Sequence, residues 1–187
     1  MSIYKNIPNV LTIGRIVLIP FFLNFLVYGY TKYAIATFVV AALSDAADGA
    51  IARYTDARTE LGAALDPMAD KMLAVTAFVA LSIQGYLPLW LTLCVVFRDA
   101  VIVSGSIALY FMGHRVKVRP SITGKLSTVF QSSLIVAALA GVLYRTELAV
   151  VSWLIWFTLL FTVASGIQYV MRGIRIAAGR EDAAKPA

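Results

Sequence analysis

The sequence is poor in the residues from which soluble surfaces and soft-metal sites are made. Only 14% of its 187 residues are charged, against roughly 25% in a soluble domain, so water is not the chain's main solvent. Its single cysteine, Cys94, lies in an apolar stretch; this excludes a disulfide framework and a thiolate zinc site and leaves a small packing residue. His114 is likewise solitary. A cleavable leader is also missing, because Met1-Ser-Ile-Tyr-Lys-Asn lacks a strongly basic start and no small-residue cleavage site follows the first apolar run. The first span is therefore expected to remain in the mature protein. Acidic residues are few, 10 against 16 basic ones, for a net charge of +6. The basic residues fall in short loops rather than on an aromatic-bearing soluble face, which argues against nucleic acid as a partner and for anionic lipid headgroups and phosphates.

What the chain has in abundance is apolar length: 60% of its residues are hydrophobic. Six apolar segments, about 9–29, 32–52, 63–84, 88–112, 125–144 and 149–171, are separated by Gly, Pro or charge-bearing turns. Each approaches the roughly 20 residues that a bilayer requires. The expected fold is an all-α integral membrane protein of six transmembrane helices, one domain over 9–172. An even count of spans puts both termini on one side. Lys5, Arg53, Arg58, Arg115, Lys117, Arg119, Arg172, Arg175, Arg180 and Lys185 fall on that side, and only Lys32 and Arg145 fall opposite. The excess of cations places both termini in the cytoplasm, so chemistry with soluble cofactors faces the cytoplasm. Residues 1–8 are read as a juxtamembrane segment, either a short interfacial helix ending near Pro8 or a frayed terminus. Residues 173–187 form a basic tail, disordered from Gly179 onward.

Five aspartates, Asp45, Asp48, Asp66, Asp70 and Asp99, lie inside the apolar segments beside Arg15, Lys71 and Arg98. At roughly 2.5–3.5 kcal/mol for each mid-span Asp, the first four would cost on the order of 10–14 kcal/mol if central and uncompensated. Asp45 and Asp48 are i,i+3 neighbours and Asp66 and Asp70 are i,i+4 neighbours, so each pair shares a helix face. Consecutive antiparallel spans would bring the pairs to one point near the cytoplasmic ends. Such a cluster must either protonate or bind cations, and an all-oxygen set favours Mg²⁺, Mn²⁺ or Ca²⁺ over zinc. The plainer alternative is that the acids cap helices or pair with Arg53, Lys71 and Arg98. Ala46, Ala47, Gly49, Ala50 and Ala52 leave the first face bare, which suits either helix packing or close approach of a ligand. Arg53, one turn beyond Gly49, can take phosphate oxygens bidentately. A divalent-cation transporter would also carry intramembrane acids, but it would need a second set toward the opposite face. Gly124-Lys125-Leu-Ser127 is not a phosphate loop, lacking the upstream glycine and a preceding strand.

Asp45-Ala-Ala-Asp48-Gly49-Ala-Ile-Ala52-Arg53, followed by Gly62, Asp66 and Asp70, resembles the signature of the CDP-alcohol phosphotransferase family at each specified position. The resemblance covers nearly the whole chain and implies a phosphatidyltransferase using CDP-diacylglycerol, two divalent metal ions (Mg²⁺ or Mn²⁺) and a homodimer in a bacterial cell membrane. It implies that Asp45, Asp48, Asp66 and Asp70 form the metal site and that Asp70 is the general base. It also assigns Asp45, Gly49, Ala52, Arg53 and Gly62, with Asn9 and Thr12, to the CDP group. Ile7-Pro-Asn9-Val-Leu-Thr12-Ile-Gly-Arg15 looks like the opening of the phosphatidylglycerophosphate synthase and cardiolipin synthase branch. Acceptor contacts are expected at Arg15, Arg98, Asp99, Arg119 and Lys125. Members using glycerol-3-phosphate usually have Arg-Glu and a second Arg about two turns later, whereas this chain has Arg98-Asp99 and then Ser106. With Arg119-Pro-Ser and Lys125-Leu-Ser-Thr-Val-Phe-Gln131, that departure is more similar to the members whose acceptor is phosphatidylglycerol. Arg115, Lys117 and Arg119 keep glycerol-3-phosphate as the alternative.

Overall fold

A computed structural model describes residues 3–55, 60–112, 121–146 and 149–178; within its helices, the side chains at 3–11, 45–55, 60–68, 70, 110 and 177 lie outside the described residues. The described regular structure is entirely α-helical: α1 (Ile3–Val27), α2 (Thr31–Thr55), α3 (Glu60–Ile83), α4 (Leu89–Phe111), α5 (Ile122–Tyr144) and α6 (Ala149–Ala177). Three stretches, Leu89–Leu109, Ile122–Tyr144 and Ala149–Ile176, are long and apolar enough to cross a membrane. Shorter apolar stretches occupy Thr12–Val27, Thr31–Ser44 and Lys71–Ile83. Exposed faces carry Phe97 (72% exposed) and Trp153 (68%), with Leu160, Ile167 and Ile174, an apolar surface of the kind that suits lipid better than water. Helices satisfy every backbone group internally, which is what a hydrocarbon solvent demands.

Two boundaries differ from expectation. No separate interfacial helix precedes the first span, because α1 is continuous from Ile3 to Val27. Pro8 stands near the helix start, where its missing N–H removes one bond and does not end the helix. At the other end, α6 runs to Ala177 and so includes the first residues assigned to the tail. Ile176 is buried and Arg175 lies in the last turn, where a cation favours the negative end of the helix dipole. Residues 179–187 lie outside the described residues.

Three helices end in the same way. In each case a residue with positive φ follows the last turn and the next amide closes a bond five residues back, capping orphan carbonyls. After α1 the residue is Gly29 (φ 76°), with Tyr30 N donating to Phe25 O at 2.8 Å. After α3 it is Gly85 (φ 81°), with Tyr86 N donating to Leu81 O at 2.9 Å. After α5 it is Arg145 (φ 52°), with Thr146 N donating to Gly141 O at 3.2 Å. An L-residue in that conformation costs roughly 1–2 kcal/mol, so Arg145 departs from the glycine that the motif favours.

Residues cluster into two units, Met1–Leu87 with Ile135–Leu148, and Pro88–Leu134 with Ala149–Ala187. In the first, α1 packs along both α2 and α3, which also touch each other. The buried stripe of α1 is Thr12, Arg15, Ile19, Phe22 and Leu26, at alternating three- and four-residue spacing. The helices it packs on bury Ala34, Phe38 and Ala41 of α2 and Ala69, Leu73 and Ala77 of α3, and such small residues allow close approach. Phe22 and Phe38 pack with ring centroids 5.9 Å apart, and Phe25 and Tyr33 with centroids 5.5 Å apart, which makes α1 and α2 an antiparallel hairpin. Leu23 and Val27 share a groove with Val79 and Ile83, so α1 and α3 run parallel.

In the second unit α4 packs on α6, with Trp90 and Trp156 at 6.2 Å. Phe130 of α5 stacks on Phe157 (5.5 Å) and Phe161 (4.9 Å) of α6.

Phe22→Ala is expected to lower stability by on the order of 2 kcal/mol, less than in a water-soluble core. Lipid is as apolar as the helix interface, so the cavity and lost packing remain but most of the transfer term does not. Thermal unfolding in detergent measures it.

Candidate functional site

In the first unit, the helical backbone over Thr31–Thr55 and Glu60–Ile83 gives the two aspartate pairs the one-face spacing that their sequence positions require. By register, positions 45 and 48 continue the buried stripe of Ala34, Phe38 and Ala41, and positions 66 and 70 precede Leu73 and Ala77 on that of α3. Arg15 is seven residues before Phe22 and Asp45 is seven after Phe38. Because those rings meet across an antiparallel hairpin, positions 15 and 45 stand level, each about 10 Å from the Phe pair at 1.5 Å rise per residue. The parallel course of α1 and α3 puts positions 66 and 70 toward the same end. Thr12 and Arg15 therefore share one end of the unit with the helix positions of all four aspartates.

The side chains of Asp45, Asp48, Gly49, Ala52, Arg53, Gly62, Asp66, Asp70 and Asn9 lie outside the described residues. Thr12 and Arg15 are described and fully buried, and both have interaction partners. Among the described residues that are fully buried, Arg15 is the largest side chain. A guanidinium out of water requires anionic or carbonyl oxygen around it, and α1 delivers one to the aspartates' end. Aspartate carboxylates are hard oxygen donors, the donor chemistry that Mg²⁺ or Mn²⁺ takes. Among the described residues no group of three or more His, Cys, Asp or Glu comes together.

The second unit builds a polar centre around Arg98. Its side chain is 8% exposed; Nη1 donates to Asp99 Oδ1 at 2.6 Å and Nη2 donates to Ser165 Oγ at 2.6 Å. Nε is buried with no hydrogen-bond acceptor among the described residues. The start of α5 closes on this centre. Ser121 caps the helix, accepting from Gly124 N at 3.1 Å, and Thr123 Oγ1 donates to Gln168 Oε1 at 2.6 Å. A Cβ at Gly124 would stand 3.2 Å from Ser121 Oγ and 3.6 Å from both Arg98 Nη2 and Ser165 Oγ. The tight contact is with the capping Ser121 hydroxyl, while the distances to Arg98 and Ser165 are ordinary van der Waals ones that place the start of α5 directly against the guanidinium. Lys125 is exposed one residue on. Arg119 lies outside the described residues.

Sequence reasoning reached Arg98 and Asp99 but missed α6. Thr158, Thr162, Ser165 and Tyr169 recur at four-, three- and four-residue spacing along an otherwise apolar helix, and that period was the available signal. Ser127 and Gln131 of α5 both reach Thr162 at 3.2 Å. Ser106 of α4 hydrogen-bonds the Tyr169 hydroxyl and donates to Ile102 O at 2.8 Å. Ser106 is thus a hydroxyl of α4 that α6 already engages.

Residues 5–164 match the family described as CDP-alcohol phosphatidyltransferase. The chain belongs to that family. A probable phosphatidylglycerophosphate synthase of Mycobacterium tuberculosis is 35% identical over 91% of this chain and 82% of its own length. The Escherichia coli CDP-diacylglycerol–glycerol-3-phosphate 3-phosphatidyltransferase is 36% identical over 76% of this chain and 79% of its own. Human cardiolipin synthase (CMP-forming) is 29% identical over 92% of this chain and 64% of its own. This CDP-alcohol phosphatidyltransferase is thus an enzyme by family, and its relatives include both acceptor types.

Ser165→Ala removes the acceptor of a buried charged donor and is expected to destabilise the protein by about 1–2 kcal/mol. Ser165→Thr, which keeps the hydroxyl, recovers most of it. Unfolding of the two variants in the same detergent checks both.

Proposed function

We propose that the protein transfers the phosphatidyl group of CDP-diacylglycerol to a glycerol-type alcohol and releases CMP, with phosphatidylglycerol as the acceptor. The observation that supports the class is the buried Arg15, at the end of the unit where helix register puts positions 45, 48, 66 and 70. Family membership supports the same reaction.

Asp45, Asp48, Asp66 and Asp70 are the residues that would hold two divalent ions. Such ions, when bound, neutralise the diphosphate and ease the departure of CMP. Arg53 takes phosphate oxygens with its planar fork, and the small positions Gly49, Ala52 and Gly62 make room for the nucleotide, with Asn9 and Thr12 on α1 beside it. Asp70 accepts the proton of the acceptor hydroxyl as its oxygen attacks the lipid-side phosphorus. One P–O bond forms to the alcohol, the P–O bond to CMP breaks in line, and the proton ends on the carboxylate.

For the acceptor, the Arg98–Asp99 pair is nearly neutral as a unit and Ser106 supplies no charge. That suits the single negative charge of a phosphodiester better than a phosphate monoester, and so phosphatidylglycerol. Arg15, Lys125 and Arg119 would complete the acceptor's surroundings. The alternative, glycerol-3-phosphate, is favoured by the relatives at 35% and 36% identity, both of which the chain covers over most of their length. In this reading residues 9–172 form a six-span domain of a homodimer in a bacterial cell membrane, with termini and active site on the cytoplasmic side.

Purified protein incubated with CDP-diacylglycerol and Mg²⁺ or Mn²⁺ is expected to release CMP with phosphatidylglycerol and much less with glycerol-3-phosphate. The reverse preference would replace the acceptor, and cation uptake into proteoliposomes without any CMP release would overturn the enzyme. Asp70→Asn should lower turnover by about 10²-fold or more. Chelation should abolish CMP release and added Mg²⁺ or Mn²⁺ should restore it.

A further inference from the structure

At the other end of the first unit lies a second polar feature that the transfer reaction does not use. A pocket of about 300 Å³ is lined by Tyr30, Lys32 and Tyr33 at the α1–α2 turn and by Leu143 and Arg145 at the end of α5. Lys32 and Arg145 are the two cations that the sequence places on the face opposite the other basic residues. Basic residues are disfavoured on that face, yet both line this one pocket. Lys32 is sixteen residues from Asp48 along α2, about 24 Å at the helix rise, so the pocket is remote from the aspartates.

Arg145 is also unusual in its backbone. It takes the left-handed capping position that Gly29 and Gly85 fill after α1 and α3. Glycine would serve the cap better there, so the fold itself gives no reason for arginine. Its guanidinium is exposed beside Lys32, and no ion-pair partner for either is found among the described residues. Glu147, the nearest acid in sequence, lies outside them. The pocket wall is aromatic: Tyr30 and Tyr33 meet edge to face at 6.3 Å, and Phe25 backs Tyr33 at 5.5 Å. Tyrosines at the ends of apolar helices sit at headgroup depth. Because α5 reaches Tyr144 as a membrane-length apolar helix, Arg145 stands at that boundary.

We propose that Lys32 and Arg145, walled by Tyr30 and Tyr33, bind the phosphate headgroup of an anionic phospholipid at the membrane face opposite the aspartates. Two cations lining one tyrosine-walled recess at the edge of apolar helices attract an anionic headgroup and stand at headgroup depth. The bound lipid would tie the α1–α2 turn to the end of α5, both within the same unit.

The test uses the purified full chain in a neutral detergent, with unfolding midpoints read after addition of phosphatidylserine, phosphatidylcholine or inorganic phosphate. Phosphatidylserine is not the acceptor in the proposed reaction, so a shift does not report acceptor binding. It is expected to raise the midpoint by several degrees while phosphatidylcholine and inorganic phosphate do not. Arg145→Gly and Lys32→Gln should each remove at least half of that shift, and Arg145→Gly should be no less stable than the parent without lipid, since glycine suits the cap. CMP release by both variants should match the parent. A phosphatidylserine shift preserved in both variants would overturn the site. An equal, variant-sensitive shift with inorganic phosphate would assign it to a free anion and overturn the lipid. Loss of lipid-free stability in Arg145→Gly would show that arginine serves the fold, which also overturns it.

Discussion

The structure depends on charges that apolar helices cannot carry alone. A guanidinium buried between apolar helices needs partners of opposite sign or a ligand, and the placement of Arg15 and Arg98 answers that need. Arg15 lies on the same end of the first unit as the four aspartate positions. Arg98 lies with Asp99 and Ser165 in the second. Elsewhere the described helices are free to present Phe, Leu, Ile and Trp outward, because no buried charge there dictates what must be nearby.

The hairpin of α1 and α2 shows how packing serves that grouping. Phe22 against Phe38 sets the vertical register of the two helices, and that register makes position 15 level with position 45. The Ala-rich faces of α2 and α3 let α1 come close enough for a buried guanidinium to be useful. The core of this unit is thus a spacer whose job is alignment, and the polar residues at its end inherit their placement from aromatic and alanine contacts lower down.

Much of this was legible in the sequence, for reasons that can be named. Six helices follow from six apolar runs, and the family follows from Asp45 to Asp70 at fixed spacing. Helix ends were less legible: Pro8 reads as a stop, yet near a helix start proline removes only one bond, and α1 passes through it. Residues 173–177 read as lying outside the helical domain, whereas α6 continues to Ala177 with Arg175 in its last turn, where a cation favours the helix C-terminus. Ser165 could not be weighed from composition, since one serine in an apolar span looks like any other. Its meaning comes from Arg98, 67 residues away in the chain.

The hydroxyls of α6 have an effect on what changes the helix can absorb. Thr162 bonds α5, Ser165 bonds Arg98, and Tyr169 bonds Ser106, so three rungs on one stripe hold α6 to two neighbours. Swapping a residue on the outward face disturbs none of them. Inserting or deleting a single residue between 162 and 169 would rotate everything beyond it by about 100° and turn at least one rung away from its neighbour, toward apolar surroundings. Over evolutionary time this stretch should drift freely in side-chain identity on its lipid side and hardly at all in length.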